Sequence, residues 1–310
     1  MKILVTGGAG YVGSILVPHL LAEGHEVCVL DSFMYGQAPL LDHLFDGRLE
    51  IVRGDARDES LLKRLVPAAD AVLPLACLTG APLCDRDPIG ARTVIVDAVA
   101  SLIALASGGL RIVYPTTNSG YGVGEADAHC TEESPLRPVS LYGRLKAEAE
   151  QRLLDSGKAV TLRLATAFGA SPRMRLDLLV NDFTYRAVTD RFLVLFQSHF
   201  KRNFVHVRDI ARAFTHVLDR FDAMRGQIYN VGLDTANMSK YELCEVIRQQ
   251  VPDFWFSEAE VGEDPDRRDY IVSSAKLYAT GFAPAHSLEG GIAELVRAYS
   301  ILRRGGYANV

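Results

Sequence analysis

Short, nearly continuous apolar runs alternate along the chain with longer stretches in which apolar residues recur every three or four positions. The runs fall at residues 2–6, 26–30, 49–52, 71–75, 111–114, 160–164, 204–207 and 227–231. Runs of that length and composition predict parallel strands buried on both faces. Helical periodicity covers residues 14–23, stopped by Gly24, and a mostly apolar stretch at 92–107. A helix apolar on more than one side must be buried, and a second copy of the chain could bury it. Positions 210, 213, 214, 217 and 218 form a clean core stripe behind Asp209, the expected cap. A last helix over 288–303 repeats Ile292, Leu295, Val296, Tyr299 and Leu302 and stops at Gly305 and Gly306. From Ser171 to Lys201 the pattern is irregular, with Arg173 and Arg175 beside Met174 and Leu176. This region is expected to cover the sheet's edge and gather a substrate.

Glycines sharpen the picture. Gly7-Gly8-Ala9-Gly10-Tyr11-Val12-Gly13 joins the first strand to the first helix, and the second strand ends in Asp31. Strand, glycine-rich turn, helix, strand and acid make up the dinucleotide-binding unit. Glycine is needed there because a side chain would hold the backbone away from a pyrophosphate, while the helix N-terminus supplies amide donors. Gly7, Gly10, Tyr11, Val12 and Gly13 are therefore candidate cofactor contacts. Asp31 would accept hydrogen bonds from ribose hydroxyls and repel a 2′-phosphate, and residues 32–35 contain no arginine to receive one, so NAD is expected over NADP. Asp55, followed by Ala56, either meets the adenine or starts the next helix. Leu75 and Ala76 open a small-residue strand end that lets a nicotinamide lie against backbone. Cys77 and Cys84 read as small buried hydrophobes.

The candidate chemistry centres on Tyr142 and Lys146, four apart on one helical face. An ammonium beside a phenol favours the phenolate and so makes it a usable base. Thr117, Asn118 and Ser119 follow the fifth strand, where hydroxyls of an α/β sheet face the site.

Composition removes other classes. Hydrophobic residues make up 48% of the 310 and charges are mixed, as in ordinary globular proteins. A net charge of −5 argues against nucleic acid as a partner. No apolar run approaches the ~20 residues of a membrane span, and no signal-peptide pattern opens the chain. Five cysteines without paired spacing read as reduced thiols in the cytoplasm, with no metal site.

Taken together, these residues resemble the extended short-chain dehydrogenase/reductase family, the NAD-dependent nucleotide-sugar epimerases and dehydratases. The resemblance rests on residues 6–13, Asp31, Asp55, Thr117 with Tyr121 and Gly122, Tyr142 with Lys146, and residues 202–209. It implies an α/β fold, a Rossmann-type doubly wound parallel sheet with a smaller C-terminal substrate-binding region. Residues 1–170 would bind NAD, with the sheet completed by about 204–232. Residues 171–203 and 233–310 would bind a nucleotide sugar. The resemblance implies that Tyr142 is the base, that Thr117 bonds the reacting oxygen and that Lys146 holds the nicotinamide ribose. Asn118 and Ser119 would meet the substrate as well. It implies Arg202, Asn181 and, above all, Arg268 as contacts of the substrate's phosphates. His206 is read as a structural residue. A homodimer through the helices at 92–107 and 142–155 is expected.

Three departures narrow the choice. Asn118 and Ser119 stand where 4,6-dehydratases carry Asp-Glu, which excludes that acid–base work. Thr166 and Ile95 replace asparagines common in the family. A closer resemblance is to the GDP-D-glycero-α-D-manno-heptose 4-dehydrogenases, carried by residues 80–84, 117–122, 130–138, 171–183 and 262–266. It implies oxidation at C4 to a keto sugar; a nucleotide-sugar 4-epimerase and a non-catalytic NAD sensor are the alternatives.

Overall fold

The computed structural model describes residues 1–125, 128–259, 261–262 and 268–302. Five strands open the sheet: β1 (Lys2–Thr6), β2 (Glu26–Asp31), β3 (Leu49–Arg53), β4 (Ala71–Pro74) and β5 (Arg111–Thr117). Two later strands, Ala159–Leu164 and Ile228–Val231, complete it, in the order Ile228–Val231, Ala159–Leu164, β5, β4, β1, β2, β3. All its pairings are parallel. The chain leaves β1 toward β2 and β3 on one side, then crosses to β4 and β5 on the other. The crevice at that reversal, beyond the strands' carboxyl ends, is where such sheets hold ligands.

Period-two alternation sends β1 side chains to both faces. Ile3 and Val5 pack with Leu16, Val17 and Leu20 of helix α1 (Gly13–Ala22) and with Ile210, Phe214 and Val217. Leu4 points the other way, toward Val96, Val99, Leu102, Leu145 and Leu153. Burying each such side chain contributes about 1.5–3 kcal/mol, and this two-sided cover explains the unbroken apolar runs. A second core joins Val180, Phe183, Leu243, Ile247, Ile292 and Leu295.

The long apolar helix starts earlier than its periodicity suggests. It runs Pro88–Leu105, with Asp87 accepting from the Gly90 amide at 2.8 Å and a π turn at Thr93–Asp97. Proline suits a first helical position because its missing N–H has no partner there anyway. This 18-residue run has a mean hydropathy of 1.6, long and apolar enough to cross a membrane by those measures. Here Ile95, Val96, Val99 and Leu102 pack onto the sheet.

Four expectations are corrected. The strand expected at 204–207 is Lys201–His206, and it does not join the main sheet. It pairs parallel with Thr166–Phe168 and antiparallel with Asn237–Ser239, leaving Ile228–Val231 to fill the sheet's edge. The cap of helix Val207–Asp219 is His206, whose backbone is extended and whose ring accepts from the Arg208 amide at 3.3 Å. Asp209 lies in the first turn and accepts from the amides of Ala285 and His286, both at 2.9 Å. Residues 171–201 hold helix Leu179–Thr189 and strand Phe192–Leu195. Their apolar positions face the second core rather than the sheet, which is why the local pattern reads as irregular. The last helix is Leu288–Ala298; Arg303, Gly305 and Gly306 lie outside the described residues.

Candidate active site

A cleft of about 1090 Å³ opens over the carboxyl ends of β1, β2, β4 and β5. Gly7, Gly10, Tyr11, Val12, Gly13, Asp31, Asp55, Ala56, Leu75 and Ala76 all line it. So do Thr117, Ser119, Tyr142, Lys146, Arg202 and Arg268.

At the cofactor end the backbone leaves no room for side chains. Gly7 has φ +73°, and a Cβ there would stand 2.6 Å from the Ala76 nitrogen. A Cβ on Gly13 would stand 2.5 Å from the Gly8 oxygen. Asp31 is fixed by two amides, Ala9 at 2.9 Å and Phe33 at 2.8 Å, which aim its carboxylate beside the glycine turn. The glycine cradle, the N-terminus of α1 and this carboxylate fit a dinucleotide. Asp58, not Asp55, caps the helix after β3, accepting from Ser60 at 2.8 Å. Asp55 instead pairs with Arg57 at 2.5 Å, and that hydrogen-bonded cation holds its carboxyl below the usual range.

The chemical end is assembled from β5 and helix Leu141–Asp155. Ser140 caps that helix, accepting from the Gly143 amide at 3.1 Å. Lys146 is buried and donates to the Tyr114 hydroxyl at 3.1 Å and the Pro115 carbonyl at 2.9 Å, which fixes its ammonium on the face shared with Tyr142. Tyr142 is crowded by protein on every side but the cleft, so burial pushes its phenol above the ordinary range. The charges of Lys146 and Arg175 pull the other way. Lysine thus acts in the expected direction but does not outweigh burial; solvent reaching the ring through the cleft softens the burial effect. Thr117 donates to the Ser119 hydroxyl at 3.0 Å, and Arg268 donates to the same Ser119 oxygen.

Behind this wall lies a network that periodicity did not single out. Glu150 follows Tyr142 and Lys146 at the same four-residue step. It accepts from Thr116 at 2.8 Å and from Arg163 at 2.7 Å, and the pair is nearly inaccessible to solvent. Arg163 also donates to the Tyr121 hydroxyl at 3.1 Å and the Glu132 carbonyl at 3.2 Å. The repeated spacing 142, 146, 150 was the available signal.

Two predicted contacts are not in the cleft wall. Asn181 is fully buried; it accepts from the Gly169 amide at 3.1 Å and donates to the Tyr11 hydroxyl at 3.3 Å and the Arg175 carbonyl at 2.8 Å. Both ends of its amide are spent on the fold. Asn118 is turned inward, 1% exposed, without a hydrogen-bond partner among the described residues. Arg268 stands at the Thr117–Ser119 end of the cleft, with its guanidinium on the Ser119 hydroxyl. Arg202 is buried and lies 5.8 Å from the Tyr270 ring. His206 meets Glu294 at 2.8 Å outside the cleft, in keeping with its structural reading. Ile95 is buried against the sheet and Thr166 lines the cleft. Arg173 and Arg175, in the region expected to gather a substrate, also line it.

The model of the NAD-dependent epimerase/dehydratase family matches residues 3–232. Low-salt glycan biosynthesis protein Agl12 of Haloferax volcanii is 28% identical, covering 96% of this chain and 98% of its own. The dTDP-glucose 4,6-dehydratase of Streptomyces niveus is 29% identical over 96% and 93%. Among solved structures, UDP-glucose 4-epimerase of Thermus thermophilus in complex with NAD is 25% identical, covers 97% of this chain and 99% of its own, and has a TM-score of 0.83.

Proposed function

The chain belongs to the NAD-dependent epimerase/dehydratase family, and from that premise we propose that it oxidises C4 of a nucleotide-linked sugar, a GDP-heptose-like substrate, to the 4-keto sugar. The observation that supports this most is the convergence of Thr117, Tyr142 and Lys146 on the cleft wall next to Leu75 and Ala76. NAD, when bound, supplies the hydride acceptor. Tyr142, as phenolate, takes the proton of the C4 hydroxyl while the C4 hydrogen departs with its electron pair. Thr117 bonds the reacting oxygen and keeps it against the phenol. Lys146, held by Tyr114 and Pro115, keeps a positive charge beside the phenolate, which general-base catalysis near neutral pH requires.

Dehydration is disfavoured because the two residues after Thr117 carry no ionisable group, and Asn118 faces inward. The GDP-heptose identity rests on the resemblance of residues 117–122 and 171–183. A 4-epimerase is the second reading, supported by the similarity to the Thermus enzyme. Outside the site, we infer a cytoplasmic homodimer built on Pro88–Leu105 and Leu141–Asp155, since Ile89 is 79% exposed on a helix this apolar. Sedimentation at twice the chain mass is the expected result, and a monomer would refute it.

The test is mass spectrometry of the purified protein with GDP-, UDP-, dTDP- and CDP-linked sugars, including GDP-mannoheptose, with reduced nicotinamide followed by absorbance. A product two hydrogens lighter with NADH formed supports the dehydrogenase. An isobaric product without net NADH moves the assignment to the epimerase. No turnover of any sugar contradicts both.

A further inference from the structure

The segment after Thr166–Phe168 is stapled directly onto the start of α1. The Tyr11 hydroxyl donates to the Gly169 carbonyl at 2.7 Å, and the Ser171 hydroxyl donates to the Tyr11 carbonyl at 2.8 Å. The Ser14 and Ser171 hydroxyls meet at 2.8 Å, and the Arg173 amide donates to the Ser14 hydroxyl at 3.3 Å. The backbone of Arg173 is thereby anchored at the first turn of the helix whose N-terminus faces the cofactor groove. One nitrogen of its guanidinium donates to the Met174 carbonyl, and the group lies 4.1 Å from the centre of the Tyr35 ring, on the loop that follows Asp31. The side chain therefore crosses from the helix N-terminus to the ribose end of the groove, and both Arg173 and Tyr35 line the cleft.

We propose that Arg173, stacked on Tyr35, is a clasp that closes over the pyrophosphate of NAD from the side opposite the glycine turn.

Three observations converge on that ligand. Arg173 is 2% exposed, so its charge is held inside the cleft wall instead of in bulk water. Arg175, also in the cleft wall, is paired with Asp177 at 2.5 Å, and the Asp31 carboxylate acts on Arg173 as well. A guanidinium brought beside the amides of α1 favours a phosphate between them. Stacking on Tyr35 fixes the plane of the fork, which suits phosphate oxygens better than a flexible ammonium would.

The experiment is calorimetric titration of the cofactor-free protein with NAD, ADP and NADP, on wild type, Arg173→Met, Arg173→Lys and Tyr35→Ala. Arg173→Met is expected to weaken NAD and ADP by about 10–100-fold each, the usual loss for a charge-assisted hydrogen bond. Arg173→Lys should fall between it and wild type. Tyr35→Ala keeps the guanidinium and removes its platform, and is expected to weaken NAD by about 3–10-fold. NAD and ADP affinities within twofold of wild type in a folded Arg173→Met protein overturn the clasp. Loss of NADP binding alone, with NAD unchanged, assigns Arg173 to a 2′-phosphate and overturns it as well. If Arg173→Met does not fold, Tyr35→Ala decides, because Tyr35 sits on a partly exposed loop; unchanged NAD affinity there refutes the proposal.

Discussion

Tyr142 works against its surroundings. Burial raises its phenol above the ordinary range, and Lys146 and Arg175 only partly offset that rise. The active form is the deprotonated one, so activity is gained as pH rises toward the raised value and is lost below it. kcat/KM is therefore expected to climb with pH through and above neutrality. Lys146→Met removes the closer cation, pushes that limb further alkaline, and lowers kcat at pH 7 by about 10²–10⁴-fold. Tyr142→Phe abolishes turnover while NAD affinity stays within twofold. Initial rates of NADH formation across pH, with NAD titrations alongside, check all three, and a flat profile in wild type refutes the role of the phenol. The convergence of Thr117, Tyr142 and Lys146 on one cleft wall was legible because strand ends and four-residue helical steps are displayed by a sequence. The inward turn of Asn118 and Asn181 was not. An amide reads the same along the chain whether it faces a cleft or is turned into the fold: Asn181 is spent on Gly169, Tyr11 and Arg175, and Asn118 is buried without a partner among the described residues. The approach of Arg173 to Tyr35 was not read for a related reason: this arginine arrives from far downstream, beyond the sheet's sixth strand in chain order.

Between elements, the Glu150–Arg163 pair links the helix of Tyr142 to strand Ala159–Leu164, to Thr116 on β5, and to the loop at Glu132. The two side chains are 4% and 5% exposed, so neither charge can be left alone. Arg163→Met is expected to cost about 3–5 kcal/mol of unfolding free energy, because it strands a buried carboxylate. Glu150→Met added to it removes that stranded charge and should recover a large part of the loss. Urea denaturation of the single and double variants measures this; equal losses in both would mean that the pair is not the source. Among strands and helices, existence was easier to read along the chain than partnership. An apolar run announces burial, yet nothing in Phe204–Val205 says which sheet receives it. The pairing is decided by Ile228–Val231 occupying the main edge and by Thr166–Phe168 continuing past Leu164. Helix Lys240–Gln250, capped by Ser239 and Glu242, shows its signal in hindsight as a Ser-x-x-Glu box.

Over the whole molecule, two apolar cores meet along one cleft. One is the sheet with its covering helices, and the other is the C-terminal set packed around Leu243 and Ile292. Tyr11 joins the two, since its backbone lies in the glycine turn while its ring packs in the second core. That arrangement places the glycine turn and Asp31 on the sheet side of the cleft, with Arg202 and Arg268 also in its wall. The alternation of strands and helices and the glycine turn foretold the Rossmann-like sheet. The second core was harder to see, because its helices bury narrow stripes against each other. Hydride transfer from C4 is the step on which the proposed oxidation stands or falls. A nucleotide sugar deuterated at C4 is incubated with the enzyme, and the reduced cofactor is isolated and weighed. NADH one mass unit heavier, with no deuterium left at C4 of the keto product, is the expected result. Unlabelled NADH, or product formed with deuterium still on C4, contradicts it.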